Sequence, residues 1–390
     1  MTPPDRMREL FLLDPQVIFL NHGSFGACPR DVFETQQRWQ LEMERNPVAF
    51  LGRRSAQLLS YARAVLGSTL GASGEHLVFV PNATTGVNIV ARSFALRPGD
   101  EVLSTDMEYG ACDATWQHVC AQHGAHYRKV EIPLPFEREE FVARVMAATT
   151  KRTRLIFTSH ITSTTALVFP VADLCRAARE RGIATLVDGA HAPGQIAVDL
   201  NAIGADFYTA NCHKWLCAPK GAGFLHARPE HHGSLDATVI SWGYAEGVTG
   251  HVGFDAYLGS SLFERRLQWQ GTRDIAAWLS VPAAIEFQAR HNWPAVRENC
   301  HALARHALDT LTRRHGLQPI ARDADWAQMV AIPVPPQDAD GLRERLFGES
   351  AIEIPVTSHA GQLFVRISVQ GYNTPDDVER LLAAPALQQE

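Results

Sequence analysis

The chain has 390 residues, 46% hydrophobic and 20% charged, an ordinary globular composition that excludes a disordered, collagen-like or coiled-coil protein. Lys plus Arg number 36 against 42 Asp plus Glu, a formal net charge of −6. With no long basic run, nucleic acid is not an expected partner. No apolar stretch approaches the roughly 18–20 residues that span a bilayer, so no membrane partner is expected either. The start, MTPPDRMREL, is polar where a signal peptide needs an apolar core, and the expected location is the cytoplasm.

In chain order, residues 1–30 are rich in Pro and Gly and read as an extended N-terminal arm. From about 74 to 227 short apolar runs alternate with helical patterns. Residues 76–80, 101–105, 126–132, 154–158, 183–188 and 206–210 read as strands. Residues 171–182 read as a helix: Val171, Leu174, Cys175 and Ala178 recur at helical spacing, and Gly182 follows as a stop. Strands alternating with helices predict an α/β fold whose mostly parallel sheet is covered on both faces. After about 275 the texture changes. Helices over 275–290 and 295–315 are followed by strands near 328–333 and 362–369 and a closing helix from 375. The expected organisation is the arm (1–30), a large α/β domain (31–275) and a small C-terminal α+β domain (276–390).

A parallel sheet binds ligands at the carboxyl ends of its strands, and several candidate segments fall there. Pro81-Asn82-Ala83-Thr84-Thr85-Gly86 opens a helix directly after a strand and reads as a phosphate cradle or as a plain helix cap. Asp188 ends the apolar run Leu186-Val187 and needs a cationic partner unless it is an N-cap. Lys214, walled by Trp215 and Leu216, is either a desolvated nucleophile or a lysine with a snorkelling stem. Arg366 lies inside the apolar run Phe364–Ser368 of the small domain, where it is either an inward-facing guanidinium that wants a carboxylate or an outward-facing, solvated strand residue. Seven cysteines and 17 histidines show no metal-ligand spacing, so no metal is expected. A phosphate cradle, a carboxylate, a lysine and an arginine in a second domain together suit pyridoxal 5'-phosphate.

The chain resembles the class V, fold-type-I pyridoxal-phosphate enzymes, and within them the isopenicillin N epimerase-like branch. The resemblance spans nearly the whole chain. It rests on Leu20-Asn21-His22-Gly23-Ser24-Phe25-Gly26, on residues 159–166 and on Asp188-Gly189-Ala190-His191-Ala192-Pro193-Gly194. His213-Lys214-Trp215-Leu216, Gly271-Thr272-Arg273-Asp274 and Arg366-Ile367-Ser368 extend it. It implies that Lys214 holds the cofactor as a Schiff base and moves the α-proton, and that Asp188 pairs with the pyridine nitrogen. Ala83, Thr84 and His213 would bind the phosphate, with Thr272 reaching it from the partner in a homodimer. Tyr109 would stack on the ring. Ser163 and His191 would lie near the phenolic oxygen, where related desulfurases often have Asn and Gln. Arg366 would hold the substrate α-carboxylate, with Asn21 also assigned to substrate binding.

The implied reaction is epimerisation or racemisation at the α-carbon of an amino acid or an amino-acid-containing peptide. Tyr109 and His22 are the candidates for a proton on the face opposite Lys214, against the plainer roles of ring stacking and arm packing. The alternative is C–S β-elimination from a cysteine or cysteine-sulfoxide conjugate, as in thiol-histidine biosynthesis. Persulfide-forming cysteine desulfurase chemistry is disfavoured, because no cysteine occurs between Cys300 and Arg366. Arg53 and Arg54 are either partners for a distal carboxylate or solvated helix residues.

Overall fold

The computed structural model describes residues 4–242, 244 and 261–388. A seven-stranded sheet forms the centre of the fold. Its strands are β1 (Leu77–Val80), β2 (Glu101–Thr105), β3 (His126–Val130), β4 (Thr153–Ser159), β5 (Ala184–Asp188), β6 (Phe207–Asn211) and β7 (Gly223–Ala227), in the spatial order β1-β7-β6-β5-β4-β2-β3. The pairs β2–β3, β2–β4, β4–β5 and β5–β6 are parallel, whereas β7 runs antiparallel to both β1 and β6. The six strands expected from apolar runs are present, with β3 ending at Val130 rather than at 132. The sequence reading missed β7, which is five residues long and follows the glycine-rich turn Gly221-Ala222-Gly223.

Helices cover both faces because the inner strands are apolar on both sides; all five residues of β2, β6 and β7 are buried, whereas only Val130 of the edge strand β3 is. The helices of this part of the chain include α1 (Arg30–Arg45), which packs on other helices, α2 (Ser55–Thr69), α3 (Ala83–Ser93), α4 (Gly110–His123) and α5 (Val171–Glu180). In α5 the buried residues are Val171, Leu174, Cys175 and Ala178, the stripe that the helical spacing predicts.

The C-terminal residues build a separate antiparallel sheet of β8 (Met329–Val334), β9 (Val356–His359) and β10 (Gln362–Ser368), ordered β9-β10-β8. β9 was not expected: it pairs with β10 through the two-residue turn Ala360-Gly361, both with positive φ, which suits a tight hairpin. The helical stretch expected over 275–290 divides at Ser280, where Pro282 starts a fresh helix, Val281–Arg290. A 23-residue helix, α6 (Trp293–His315), follows.

The arm is tied to the C-terminal sheet. Ile18–Phe19 pair in parallel with Ile352–Glu353, and the Ser368 N–H donates to Leu20 O at 2.8 Å. This tie carries residues 21–26 across to the carboxyl edge of the large sheet. Gly26, at φ +70°, lies against the His213 and Lys214 backbone, where a Cβ would collide with the His213 carbonyl.

Candidate active site

The register of the large sheet gathers the candidate residues at one edge. Ser159 of β4 pairs with Asp188 of β5, and Asp188 with Thr209 of β6; Asn211 of β6 and Val80 of β1 both pair with Gly223 of β7. The loops leaving these strand ends enclose a cavity of about 330 Å3. Among its lining residues are Ala83, Thr84, Tyr109, Ser163, Asp188, His191, His213 and Lys214, all singled out from the sequence. Ser24, Phe25, Asn82, Ser159 and Asn211 line it as well.

Lys214 follows β6 and sits 3.1 Å from His191 Nε2 through its Nζ. Burial and the nearby Arg366 guanidinium lower its pKa to about 8, with Asp188 offsetting part of the fall. Asp188 is buried at the end of β5. Its Oδ1 accepts the Ala190 N–H at 2.9 Å and its Oδ2 accepts the Cys112 thiol at 3.6 Å. Burial raises its pKa. No ion pair to this carboxylate occurs among the described residues, so one buried acceptor is left for a cationic N–H.

The phosphate cradle differs in detail from the expectation. The Ala83 N–H is already donated to Asn211 Oδ1 at 2.8 Å, and the Thr85 N–H to Asn82 Oδ1 at 2.8 Å. Thr84, the second residue of α3, is therefore the cradle residue whose N–H and hydroxyl are open to an anion at the positive end of this eleven-residue helix. Asn211, the last residue of β6 and three residues before Lys214, is a cradle residue that the sequence analysis does not single out. His213 Nδ1 lies 2.9 Å from Ala222 O, a group that only accepts, so Nδ1 carries the hydrogen and Nε2 holds a lone pair in the neutral ring. Burial lowers the His213 pKa to about 4.

Two expectations for the arm are corrected. His22 is fully buried, does not line the cavity, and has both ring nitrogens engaged. Its Nε2 donates to Lys214 O at 3.0 Å, which leaves Nδ1 to accept from the Tyr372 hydroxyl at 3.0 Å. Burial drops its pKa to about 3. A ring so placed braces the lysine loop and has no lone pair to offer a substrate. Asn21 is also withdrawn from the cavity: its Oδ1 accepts from Ser24 Oγ at 2.5 Å, and its Nδ2 lies 3.4 Å from Glu353 Oε1.

Arg366 is buried on β10 directly behind Ser24 and Ser163. Its Nη1 donates to the Ser163 carbonyl and hydroxyl, its Nη2 reaches Ser24 Oγ at 3.3 Å, and its Nε has no partner. No carboxylate of the described residues pairs with it, and burial lowers its pKa to about 10. Thr272 is exposed and does not line the cavity of its own chain. Arg53 and Arg54 do not line it either, and Arg54 pairs with Glu42 at 2.5 Å.

One ionisable neighbour escaped the sequence reading. Glu108, just before Tyr109, is buried, with Thr105 Oγ1 on Oε1 at 2.6 Å and the Ser159 N–H and hydroxyl on Oε2 at 2.8 and 2.6 Å. Burial, reinforced by the Asp188 charge, raises its pKa to about 8 against these hydrogen bonds. The only signal in the sequence was a glutamate close after the strand Glu101–Thr105.

These groups fit pyridoxal phosphate. A helix N-terminus with an open N–H, an unpaired buried carboxylate and a desolvated lysine share one cavity, and behind its wall lies a guanidinium with no carboxylate partner among the described residues. The aminotransferase class-V family model matches residues 20–381. The chain is 40% identical to isopenicillin N epimerase of Streptomyces clavuligerus over 97% of each chain. It is 31% identical to a probable chloroplastic L-cysteine desulfhydrase of Arabidopsis thaliana, covering 94% of this chain and 82% of that protein. In structure it is similar to a cysteine desulfurase from Thermococcus onnurineus NA1, with a TM-score of 0.82 at 20% identity, covering 98% and 97% of the two chains. The chain belongs to the class-V aminotransferase family, pyridoxal-phosphate enzymes of fold type I.

Proposed function

We propose that this chain is an epimerase of the isopenicillin N epimerase type, acting at the α-carbon of an amino acid or of an amino-acid residue within a small peptide. The observation that carries the reading is the end-to-end 40% identity to the Streptomyces clavuligerus enzyme. Bound pyridoxal phosphate supplies an electron sink that makes the α-hydrogen acidic. The chain's own residues do the rest. Lys214 holds the cofactor and then, as a free amine, moves the α-proton on its face. Its lowered pKa keeps a usable share of that amine near neutral pH. Asp188 offers its carboxylate to the ring nitrogen. Thr84 donates to the phosphate, while His213 can do so only as an imidazolium, since its Nδ1 hydrogen is spent on Ala222 O.

Tyr109 stands on the cavity wall at the start of α4 with half its surface open, where it can stack on the ring and hand a proton to the face opposite Lys214. Arg366 exchanges its serine contacts for the substrate α-carboxylate, and Ser24, held by Asn21, flanks that subsite. Thr272 completes the phosphate site of a second subunit. Exposed Val239, Ile240 and Trp242 are apolar surface that a homodimer would cover. No helix of the described residues is long and apolar enough to cross a membrane. Seven unpaired cysteines fit a reducing compartment such as the cytoplasm.

C–S elimination is the second reading, supported by the desulfhydrase relative. It needs no enzyme thiol, and none of the residues that line the cavity is a cysteine. The deciding experiment incubates cofactor-loaded protein in deuterated water with L-amino acids and cysteine conjugates, followed by proton NMR and chiral chromatography. Deuterium at the α-carbon together with D-isomer is expected. Pyruvate and ammonia from an S-conjugate without D-isomer would replace the epimerase by a lyase.

A further inference from the structure

We propose that Trp215 fixes the tautomer of His191, so that the ring always presents an N–H to the nitrogen of Lys214. The Trp215 indole N–H, which can only donate, points at His191 Nδ1 at 3.3 Å. Nδ1 must therefore hold its lone pair, and the ring hydrogen sits on Nε2, the atom 3.1 Å from Lys214 Nζ. The ring stays neutral, because it is buried and faces the cations Lys214 and Arg366.

The placement of the two rings is itself enforced. Gly194, at φ +89°, lies against the Trp215 backbone, where a Cβ would collide with the Trp215 carbonyl. The His191 carbonyl accepts from Gln195 Nε2 at 2.7 Å, and Gln195 Oε1 takes the N–H groups of Gln328 and Met329 at 3.1 Å each. The histidine turn is thus anchored to the start of β8, and Trp215 O accepts from Gln288 Nε2 at 2.7 Å.

The consequence falls on the lysine. An Nε2–H donor is satisfied by an amine lone pair and repelled by an ammonium. The opposite tautomer would offer a lone pair and hold the ammonium. Trp215 therefore biases Lys214 towards the amine that it needs as a base, and acts as a positioning residue without touching the reacting atoms. The inference rests on Lys214 being the reacting amine, yet its test does not depend on turnover.

The test is nitrogen NMR of protein labelled at histidine nitrogens, with the His191 signals identified by their loss in His191→Asn. Native protein, with and without pyridoxal phosphate, should show Nδ1 unprotonated and Nε2 protonated across neutral pH. In Trp215→Phe the hydrogen should redistribute towards Nδ1. The alkaline midpoint of the bound cofactor's visible band should rise by roughly half to one pH unit, the worth of one hydrogen bond. In the same variant kcat should fall about five- to tenfold with KM little changed. A protonated Nδ1 in the native protein overturns the proposal, even if Trp215→Phe fails to fold. Unaltered His191 signals in a folded variant overturn it too. Loss of function in Lys214→Ala bears only on the underlying assignment of the lysine.

Discussion

Glu108 should be an uncharged carboxylic acid in the native protein at neutral pH, and Glu108→Gln tests this. The carboxyl is buried, and its pKa moves from the ordinary 4.5 to about 8 in the folded chain. The native state therefore keeps the proton up to pH 8, whereas the unfolded chain loses it above 4.5. Between those values unfolding releases a proton, and stability falls as pH rises, by about 1.4 kcal/mol per pH unit. Over some 3.5 units the group should cost about 5 kcal/mol, with no further loss above pH 8. Glutamine keeps the shape and an oxygen for the Ser159 donors but does not titrate. Urea denaturation of cofactor-free native and Glu108→Gln protein, run side by side from pH 5 to 9, should show near-equal stability at pH 5. The variant should gain steadily to about pH 8. Difference infrared spectra at pH 7 should show a protonated carboxyl stretch in native protein that the variant lacks. A stability difference independent of pH, or no such stretch, would refute the reasoning.

Other substitutions probe separate parts of the site and of the fold around it. Lys214→Ala should abolish the visible band and borohydride trapping of the cofactor; a reducible cofactor at full occupancy would remove the lysine from its role. Arg366→Ala should cost about 2–3 kcal/mol of substrate binding, read as a KM raised by roughly 30- to 150-fold with a smaller change in kcat. Gly26→Ala should destabilise by at least about 2 kcal/mol and weaken cofactor binding, since its Cβ meets the His213 carbonyl at φ +70°. Glu264→Ala strips the buried Arg63 guanidinium of its carboxylate partner at 2.7 Å, leaving only the neutral acceptors Gln268 and Gly74 O, and should cost about 3–5 kcal/mol in thermal or urea denaturation.

What the sequence made legible was whatever a strand end dictates locally. Asp188 and Lys214 were readable because apolar runs end beside them, and parallel strands aim their carboxyl ends at one place. The α5 stripe was readable because spacing alone sets a helix face. Hydrogen-bond partners between distant segments were not readable. Nothing near Ala83 says that Asn211, 128 residues later, takes its N–H. Nothing near His22 says that the Lys214 carbonyl and the Tyr372 hydroxyl fill both ring nitrogens. Strand β7 escaped for a different reason: it is short, follows a glycine-rich turn and runs against the direction of the pattern around it.

The charge balance of the cavity links Glu108 to the chemistry. Two anionic groups have to enter: the cofactor phosphate and the substrate carboxylate. Arg366 carries a full positive charge, and Lys214, with its pKa near 8, is still largely an ammonium at neutral pH. His22, His191 and His213 are neutral through burial. On the proposed function Asp188 would offer its carboxylate to the ring nitrogen. A second ionised carboxylate at Glu108, close enough to Asp188 for each to feel the other, would cancel the positive excess that draws those anions in. It would also hold Lys214 as an ammonium when the reaction needs an amine. Burying Glu108 under Thr105 and Ser159 as a neutral acid leaves Asp188 as the only strong counter-charge on the cavity wall among the described residues. On this argument an ionised Glu108 would weaken cofactor affinity and slow α-proton exchange together. Above pH 8 both should fall further in native protein than in Glu108→Gln, where the Lys214 titration alone remains.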